Sequence, residues 1–252
     1  MRRAVRRIVS QGQRVIEFKD VGKSWPGGVP ALAGVSFRIA AGEFVVLAGH
    51  SGAGKTTLFR LLAGLERPTH GQVLVHGQDV GRMRPAALPW LRRKLGLIFQ
   101  DTQLLTDRDA LANVMLPLLV TGQARAAAES RARTALERVG LAGREHSNPR
   151  ALSGGDQQRL AIARAIVNKP AILVADEPTA NLDRAAAHQV IDIFRQFNTA
   201  GVTVLIASHD ESLFADHAQR VLRLDHGRLV DAGTPVIASG TSAAPLPTAE
   251  PA

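Results

Sequence analysis

The chain has 252 residues, 45% of them hydrophobic, which fits one large α/β domain, or one with an inserted subdomain, and excludes global disorder. It contains no cysteine, so disulfides and thiolate metal sites are excluded, and no apolar run reaches the roughly 18 residues that span a bilayer. The net charge of +9 suits an anionic partner, but an Arg-rich host composition explains it equally well, so charge alone identifies no function.

Residues 1–14 form a basic N-terminal arm with two Arg-Arg pairs near its start, and they lack the apolar core of a secretory signal. As a helix, the arm would oppose these arginines with small apolar residues, which suits an anionic membrane surface. Alternatively, the native chain starts near Val15, where folded sequence begins. At the other end, residues 233–252 are rich in Ala, Pro, Thr and Ser, which predicts a disordered extension.

Between these ends, short apolar runs alternate with helical patterns, which predicts a layered α/β domain over residues 15–232. The continuously apolar runs 172–175 and 202–207 are typical of buried strands in a parallel sheet. Residues 101–150 show helical patterns without a clear strand, so we predict an inserted helical subdomain there. Strands are also predicted at 44–48, 73–75 and 97–99, and helices at 124–139 and through Leu58, Leu61 and Leu62.

A glycine-rich loop follows the first of these buried strands and opens a helix. Residues 49–56 read Gly-His-Ser-Gly-Ala-Gly-Lys-Thr, the phosphate-loop pattern in its required context. The glycines let backbone N–H groups wrap phosphates, Lys55 reaches the β/γ oxygens, and the Thr56 hydroxyl takes a Mg²⁺ position. The predicted nucleotide-binding residues of this loop are Gly49, His50, Ser51, Gly52, Ala53, Gly54, Lys55, Thr56 and Thr57.

Four further polar residues follow predicted strands. Asp176 can orient Mg²⁺ directly or through water, and Glu177 can hold a water as general base for attack on the γ-phosphate. Gln100 is placed to touch both the metal and that water, and His209 to sense the γ-phosphate. The simpler interpretations are a loop glutamine and a strand-end histidine satisfied by the backbone.

The run Leu-Ser-Gly-Gly-Asp-Gln-Gln at residues 152–158 begins a predicted helix. Free backbone N–H groups and the positive end of the helix dipole meet at such a start, which suits a phosphate anion. Taken alone, the run is more simply an ordinary loop with an N-cap serine. Its interpretation depends on the other motifs of the chain.

In this order, the phosphate loop, the run at 152–158 and the polar residues at the strand ends resemble the ATP-binding-cassette (ABC) ATPase family over about residues 15–230. The resemblance implies an α/β P-loop NTPase fold with a mostly parallel core sheet, an antiparallel β subdomain and the inserted helical subdomain. It also implies ATP and Mg²⁺ as ligands. Two copies of the chain would form a head-to-tail homodimer.

In such a dimer, each ATP lies between the phosphate loop of one subunit and the signature run of the other. The signature residues implied to contact ATP in trans are Ser153, Gly154, Gly155 and Gln157. Asp183 would lie at the dimer interface. Trp25 stands where the family commonly stacks a tyrosine on adenine, although a purely packing role is the alternative. Asp156 replaces the more usual glutamate, which puts in doubt any contact that needs the longer side chain.

Several phrases are similar to the bacterial cell-division branch of this family, among them residues 49–55, 91–101, 168–171 and 197–204. That similarity implies a peripheral protein at the cytoplasmic face of the inner membrane, bound to an FtsX-like integral membrane protein. Other division proteins are possible further partners, and no specific nucleic acid is expected. Leu104 and Leu105, after Gln100, are predicted to contact the membrane partner.

Two alternative functions stay open at this point. The first is the ATPase of a lipoprotein-release or macrolide-type exporter, since such cassettes share the motif order. The second is a nucleotide-gated scaffold with little turnover. Intact Glu177 and His209 disfavour the scaffold, because both are the residue types that hydrolysis requires.

Overall fold

The computed structural model describes residues 13–233. Our interpretations of residues 1–12 and 234–252 lie outside this range. Within it, none of the helices is both long enough and apolar enough to cross a membrane. The described strands are β1 (Arg14–Ser24), β2 (Pro30–Ala40), β3 (Phe44–Ala48), β4 (His70–Val75), β5 (Gln78–Asp79), β6 (Leu95–Ile98), β7 (Ile172–Asp176), β8 (Thr203–Ser208), β9 (Arg220–Asp225) and β10 (Arg228–Asp231).

Two sheets organise these strands. The larger has the order β10-β9-β3-β8-β7-β6, and its strands are parallel except for β10, which pairs antiparallel with β9. The smaller sheet has the order β2-β1-β4-β5 and is antiparallel throughout. This arrangement confirms the predicted α/β class with a mostly parallel core sheet and a separate antiparallel sheet.

The described α-helices are α1 (Lys55–Leu62), α2 (Leu88–Arg93), α3 (Ala110–Val120), α4 (Arg125–Arg138), α5 (Gly154–Ile166) and α6 (Arg184–Thr199). The predicted strand at 97–99 lies instead at Leu95–Ile98, because these four residues pair with 172–175 of β7. The strand predicted at 202–207 is shifted by one residue to Thr203–Ser208. The helix predicted at 124–139 is observed as α4, one residue shorter at each end.

The central strands β3, β7 and β8 of the larger sheet are buried on both faces, which explains their apolar sequences. Side chains alternate across a strand, so Val45 and Leu47 of β3 pack with α1 and the antiparallel sheet. Phe44 and Val46 point to the opposite face and pack with helices α3 to α6. The site is formed where β3, β7 and β8 end side by side, since ligands in such folds bind beyond the carboxyl ends of the strands.

The segment 101–150 contains α3 and α4, and both pack against α5. Asp109 caps α3 by accepting a hydrogen bond from the backbone N–H of Ala112 at 2.8 Å. Val114 and Leu118 of α3 are fully buried in the core of these helices. The signature helix α5 is therefore packed against the helices that follow Gln100 in sequence.

Candidate nucleotide-binding and hydrolysis site

The phosphate loop connects β3 to α1 in a backbone conformation that only glycine permits. Gly54 caps α1 with φ of 109°, in the left-handed region. A Cβ on Gly54 would lie 2.6 Å from the carbonyl oxygen of Ala31, and one on Gly49 would lie 2.4 Å from that of Leu224. Glycine at both ends of the loop thus allows the close packing that holds its backbone N–H groups at the helix start.

Lys55 is held inside the loop, with only 6% of its surface exposed. Its Nζ donates to the carbonyl oxygens of Gly49 at 2.5 Å and His50 at 3.2 Å. It also lies 3.1 Å from Oε1 of Glu177. A phosphate oxygen that reaches Lys55 would therefore compete with Glu177 for the ammonium group.

Asp176, the last residue of β7, has one satisfied and one unsatisfied carboxylate oxygen. The Thr56 hydroxyl donates to Oδ2 at 2.7 Å, whereas Oδ1 is buried without a hydrogen-bond partner among the described residues. Burial raises the pKa of Asp176, opposed by the Thr56 hydrogen bond and reinforced by the neighbouring Glu177 charge. Mg²⁺ prefers oxygen ligands, so an orphaned carboxylate oxygen beside a threonine hydroxyl fits that ion.

Glu177 bridges the phosphate loop and His209. Its Oε2 lies 2.8 Å from His209 Nδ1 and accepts from the His209 backbone N–H at 3.3 Å. The Glu177 backbone has φ of 49°, unusual for a residue with a Cβ, and its N–H donates to Ala207 at 2.9 Å. The carboxylate is thereby fixed between a lysine and a histidine, which suits a general base with a defined orientation.

The predicted phosphate-loop residues, except Gly49, line one cavity of about 740 Å³ together with the four polar residues that follow the strands. Its walls are Ala31, His50, Ser51, Gly52, Ala53, Gly54, Lys55, Thr56, Thr57, Gln100, Asp176, Glu177, Ala180, Asn181 and His209. Gln100 from the end of β6 and His209 from the end of β8 thus meet the phosphate loop as expected. Sequence reasoning missed the wall formed by Ala31 and Ala180, since neither residue carries a chemical signal.

Trp25 is not among the residues that line this cavity. It lies between β1 and β2, is 38% exposed, and has Lys23 Nζ 4.6 Å from its ring centroid. Lys23 is itself held by Glu66 at 3.1 Å, so the cation is fixed over the ring. The adenine-stacking role of Trp25 therefore stays a prediction.

The signature run lies outside the wall of its own chain's cavity. Ser153 caps α5, accepting from the Asp156 backbone N–H at 3.1 Å, and its hydroxyl lies 2.9 Å from Asp156 Oδ2. Ser153 and Gly154 are exposed, and within residues 13–233 no signature residue lines the nucleotide cavity. Gln157 donates to the carbonyl oxygen of Leu152 at 3.1 Å. The free helix start is thus available to another molecule.

The three remaining predicted residues are Asp183, Leu104 and Leu105. Asp183 caps α6, accepting from the Ala186 backbone N–H at 2.8 Å. Leu104 packs against the core of helices α3 to α6, while Leu105 is partly exposed. Both leucines are partly exposed, but the packing of Leu104 on this core makes it the poorer candidate for contact with a partner.

Arg164 is a positioning residue that the sequence reasoning missed. Its guanidinium donates to the carbonyl oxygens of Thr102 and Gln103, just beyond Gln100. Burial lowers the pKa of Arg164. An arginine four residues after buried Leu160, on the inward face of α5, is the sequence signal for this role. The contact ties the helix that starts at the signature run to the loop that carries Gln100.

Residues 32–180 match the ABC transporter family. The cell division ATP-binding protein FtsE of Escherichia coli K12 is 46% identical over 215 residues, 85% of this chain and 97% of that protein. The methionine import ATP-binding protein MetN of Caulobacter vibrioides is 44% identical over 87% of this chain and 67% of that protein. A dimeric post-hydrolysis structure of the cassette MJ0796 bound to ADP and Pi has a TM-score of 0.81 at 32% identity, covering 88% of this chain and 98% of that one.

Proposed function

The chain belongs to the ABC transporter family, and from that premise we propose that it is the ATP-hydrolysing subunit of a membrane complex in cell division. The observation that carries the ATPase assignment is Glu177, fixed between Lys55 and His209 at the mouth of the phosphate loop. The cell-division assignment is supported by similarity to FtsE over nearly the whole length of that protein.

The geometry suggests a sequence of contacts for hydrolysis. ATP places its phosphates in the loop, and Lys55 exchanges Glu177 for a phosphate oxygen, which frees the carboxylate to accept a proton from the attacking water. His209 stays within 2.8 Å of Glu177 and orients it. Thr56 and Asp176, with Gln100 in the same cavity, would hold Mg²⁺, which would neutralise charge on the phosphates.

We propose that the complete site contains two chains. The exposed N-terminus of α5 suits an anion, but its residues do not line the cavity of the same chain. A head-to-tail homodimer would place Ser153, Gly154 and Gly155 against the γ-phosphate bound by the partner chain. Asp183, at the start of the next helix, would then lie at the interface.

The same proposal places the protein at the cytoplasmic face of the inner membrane through an FtsX-like integral membrane partner. This part of the proposal is supported by the similarity to the cell division ATP-binding protein FtsE over nearly the whole length of that protein. The loop after Gln100 is the surface proposed for this contact, because Arg164 couples it to the signature helix. A movement of the signature helix on nucleotide-driven dimerisation would thereby be transmitted through this loop to the partner.

Substitution Glu177→Gln tests the ATPase assignment. Glutamine keeps the size of the side chain but is a poor proton acceptor, so we expect phosphate release to fall by about 10²-fold or more. ATP binding should persist, and an ATP-bound dimer should accumulate. Phosphate-release kinetics and light scattering after size exclusion measure the two effects.

The matched control is Glu137→Gln, the same chemical change at an exposed position of α4. It should hydrolyse ATP at the parent rate and should not trap a dimer. Phosphate release at the parent rate in Glu177→Gln would exclude Glu177 as the base. A parent protein that dimerises with ATP but releases no phosphate would favour the nucleotide-gated scaffold instead.

A further inference from the structure

A second cluster of potential ligands lies on the outer rim of the phosphate loop. His50 Nε2 is 3.0 Å from Asp225 Oδ1, and His226 Nδ1 is 2.9 Å from the same oxygen. The three ligand atoms lie within 4.8 Å of one another, and all three residues are exposed. Proposed ATP hydrolysis uses neither Asp225 nor His226, so this cluster is unexplained by the site above.

Asp225 and His226 are held on a tight turn rather than on an irregular loop. Asp225 pairs with Arg228 across the β9–β10 hairpin, and the central residues His226 and Gly227 have φ of 43° and 74°. Two positive φ values in a two-residue loop define a type I′ turn, which matches the twist of the strands. The two side chains therefore project from a rigid support.

This turn is also bonded to the phosphate loop. The Gly227 N–H donates to the carbonyl oxygen of Ala53 at 3.0 Å, and the Gly227 carbonyl accepts from Ala33 at 2.8 Å. On the phosphate loop, the carbonyl oxygen of His50 accepts a hydrogen bond from Lys55 Nζ at 3.2 Å. Two fixed backbones thus bring together side chains that are 175 positions apart in sequence.

The hydrogen bond of His50 to the backbone decides which nitrogen faces Asp225. Nδ1 lies 2.6 Å from the carbonyl oxygen of Ser51, which can only accept, so Nδ1 carries the proton. In the neutral ring, Nε2 then presents a lone pair to the carboxylate oxygen 3.0 Å away. Two acceptors at that distance repel each other unless a cation, either a proton or a metal ion, lies between them.

We propose that His50, Asp225 and His226 form a binding site for a divalent transition-metal ion of the Zn²⁺ class. Two imidazole nitrogens and one carboxylate oxygen, with water in the remaining position, form a common three-ligand zinc set. Ligand atoms around tetrahedral zinc are roughly 3.3 Å apart, given bonds of about 2.0–2.1 Å. The separations of 2.9 and 3.0 Å to Asp225 Oδ1 are close to this value, and the two imidazole nitrogens lie within 4.8 Å of each other.

The second contact of His50 supports this assignment. A histidine that ligates a metal almost always donates its other ring N–H to a carbonyl or carboxylate, as His50 does to Ser51. Imidazole ligands distinguish this site from the oxygen-only set of Thr56 and Asp176, which suits Mg²⁺. An ion bound here would fasten the phosphate loop to the hairpin from the solvent side, next to the nucleotide but outside its hydrolysis chemistry.

The experiment titrates untagged, nucleotide-free, full-length protein with Zn²⁺ by calorimetry, and with Co²⁺ to follow the absorption of a tetrahedral site. We expect one ion per chain and an increase in Tm with metal concentration, because the ion binds the folded chain preferentially. His226→Asn should weaken binding at least about tenfold, since a ligand is lost. Asparagine tolerates the left-handed conformation, so the turn is retained.

The matched control is His76→Asn. His76 and Gly77 form the turn between β4 and β5 with φ of 47° and 77°, so this variant removes a histidine from the same kind of turn. It should bind Zn²⁺ like the parent, and circular dichroism should show both variants folded. The proposal is overturned if the parent binds no Zn²⁺ at micromolar concentrations, or if His226→Asn binds with unchanged affinity and stoichiometry.

Discussion

At Asp176, burial on folding favours the neutral carboxyl group, whereas binding of a metal ion would favour the charged carboxylate. The carboxylate is 1% exposed, its Oδ1 lacks a hydrogen-bond partner in the described chain, and burial raises its pKa. When folding raises the pKa of a carboxyl group, the folded protein loses stability as the pH rises through that pKa. The reason is that the charged carboxylate is less favourable in the folded chain than in the unfolded chain. A metal ion on Oδ1 would instead favour the charged carboxylate.

We therefore predict that Asp176→Asn stabilises the nucleotide-free protein at neutral pH while abolishing Mg²⁺-dependent hydrolysis. The amide oxygen can still accept the Thr56 hydroxyl, so the hydrogen bond to Oδ2 is replaced. Thermal or urea unfolding without nucleotide measures the gain, which should shrink as the pH falls toward the ordinary carboxyl range. A loss of stability at neutral pH would contradict the assignment.

The Glu177 carboxylate has one role in the present structure and a second, proposed role as the general base when ATP is bound. In the present structure it neutralises Lys55 at 3.1 Å, and its left-handed backbone keeps it beside His209. An unusual conformation at a reactive residue is typical of functional sites, where the surrounding structure stabilises it. Here the surrounding contacts are the backbone bond to Ala207 and the His209 ring.

At the scale of single elements, α5 combines a cap with an exposed anion site. Ser153 and Asp156 satisfy each other at its first turn, and Arg159 also contacts the Asp156 carboxylate. Partial desolvation raises the pKa of Asp156, but hydrogen bonds from Ser153 and Arg159 outweigh it and lower the pKa overall. The shorter aspartate thus closes the cap through the serine hydroxyl.

Ser153→Ala should have two separable effects. Loss of the cap should lower the free energy of unfolding by about 1 kcal/mol. Loss of the hydroxyl at the trans site should reduce phosphate release, while the same chain's phosphate loop still binds ATP. Denaturant unfolding, phosphate release and equilibrium nucleotide binding measure the three quantities.

Ser153→Asn separates the two effects, because asparagine is an equally good N-cap. It should restore the stability lost in Ser153→Ala but leave hydrolysis impaired, since its amide is larger than the hydroxyl. If hydrolysis recovered fully together with stability, capping alone would account for the role of Ser153.

For the whole molecule, the arrangement of α3 to α5 decides which surface can reach a partner. Val114 and Leu118 are buried, and Leu104 packs on the same core, so these apolar residues stabilise the helical segment itself. Leu105 is partly exposed, and its backbone is held at both ends by Asn113, at 2.8 and 2.9 Å. The fixed loop presents Leu105 next to the residues that Arg164 anchors.

We predict that Leu105→Glu weakens recruitment to membranes and leaves ATP binding intact, because a charge opposes burial in an apolar interface. Co-purification from membranes, with identification of the partner by mass spectrometry, measures the effect. Ala126→Glu adds the same charge at an exposed position of α4 and should leave recruitment unchanged. Unaltered recruitment of Leu105→Glu would exclude this surface, and an exporter permease as the partner would replace the cell-division role.

The sequence by itself determined the local features of this protein. The phosphate loop, the buried strands of the larger sheet and helix α4 follow from short patterns, because backbone geometry and side-chain periodicity are encoded within a few residues. Strand ends were predicted less well: β6, predicted at 97–99, begins two residues earlier, at Leu95, because pairing with β7 sets its limits.

Only the tertiary structure decided which distant residues meet. It places Glu177 between Lys55 and His209, and it leaves Ser153 outside the wall of its own chain's cavity. It also packs Leu104 on the core of helices α3 to α6 and brings His226 to His50 beside the phosphate loop. These outcomes depend on strand order and on the packing of helices over the sheet, contacts between segments that no short pattern specifies. The physical reason is that side chains become buried, and residues distant in sequence come into contact, only when separate elements pack together.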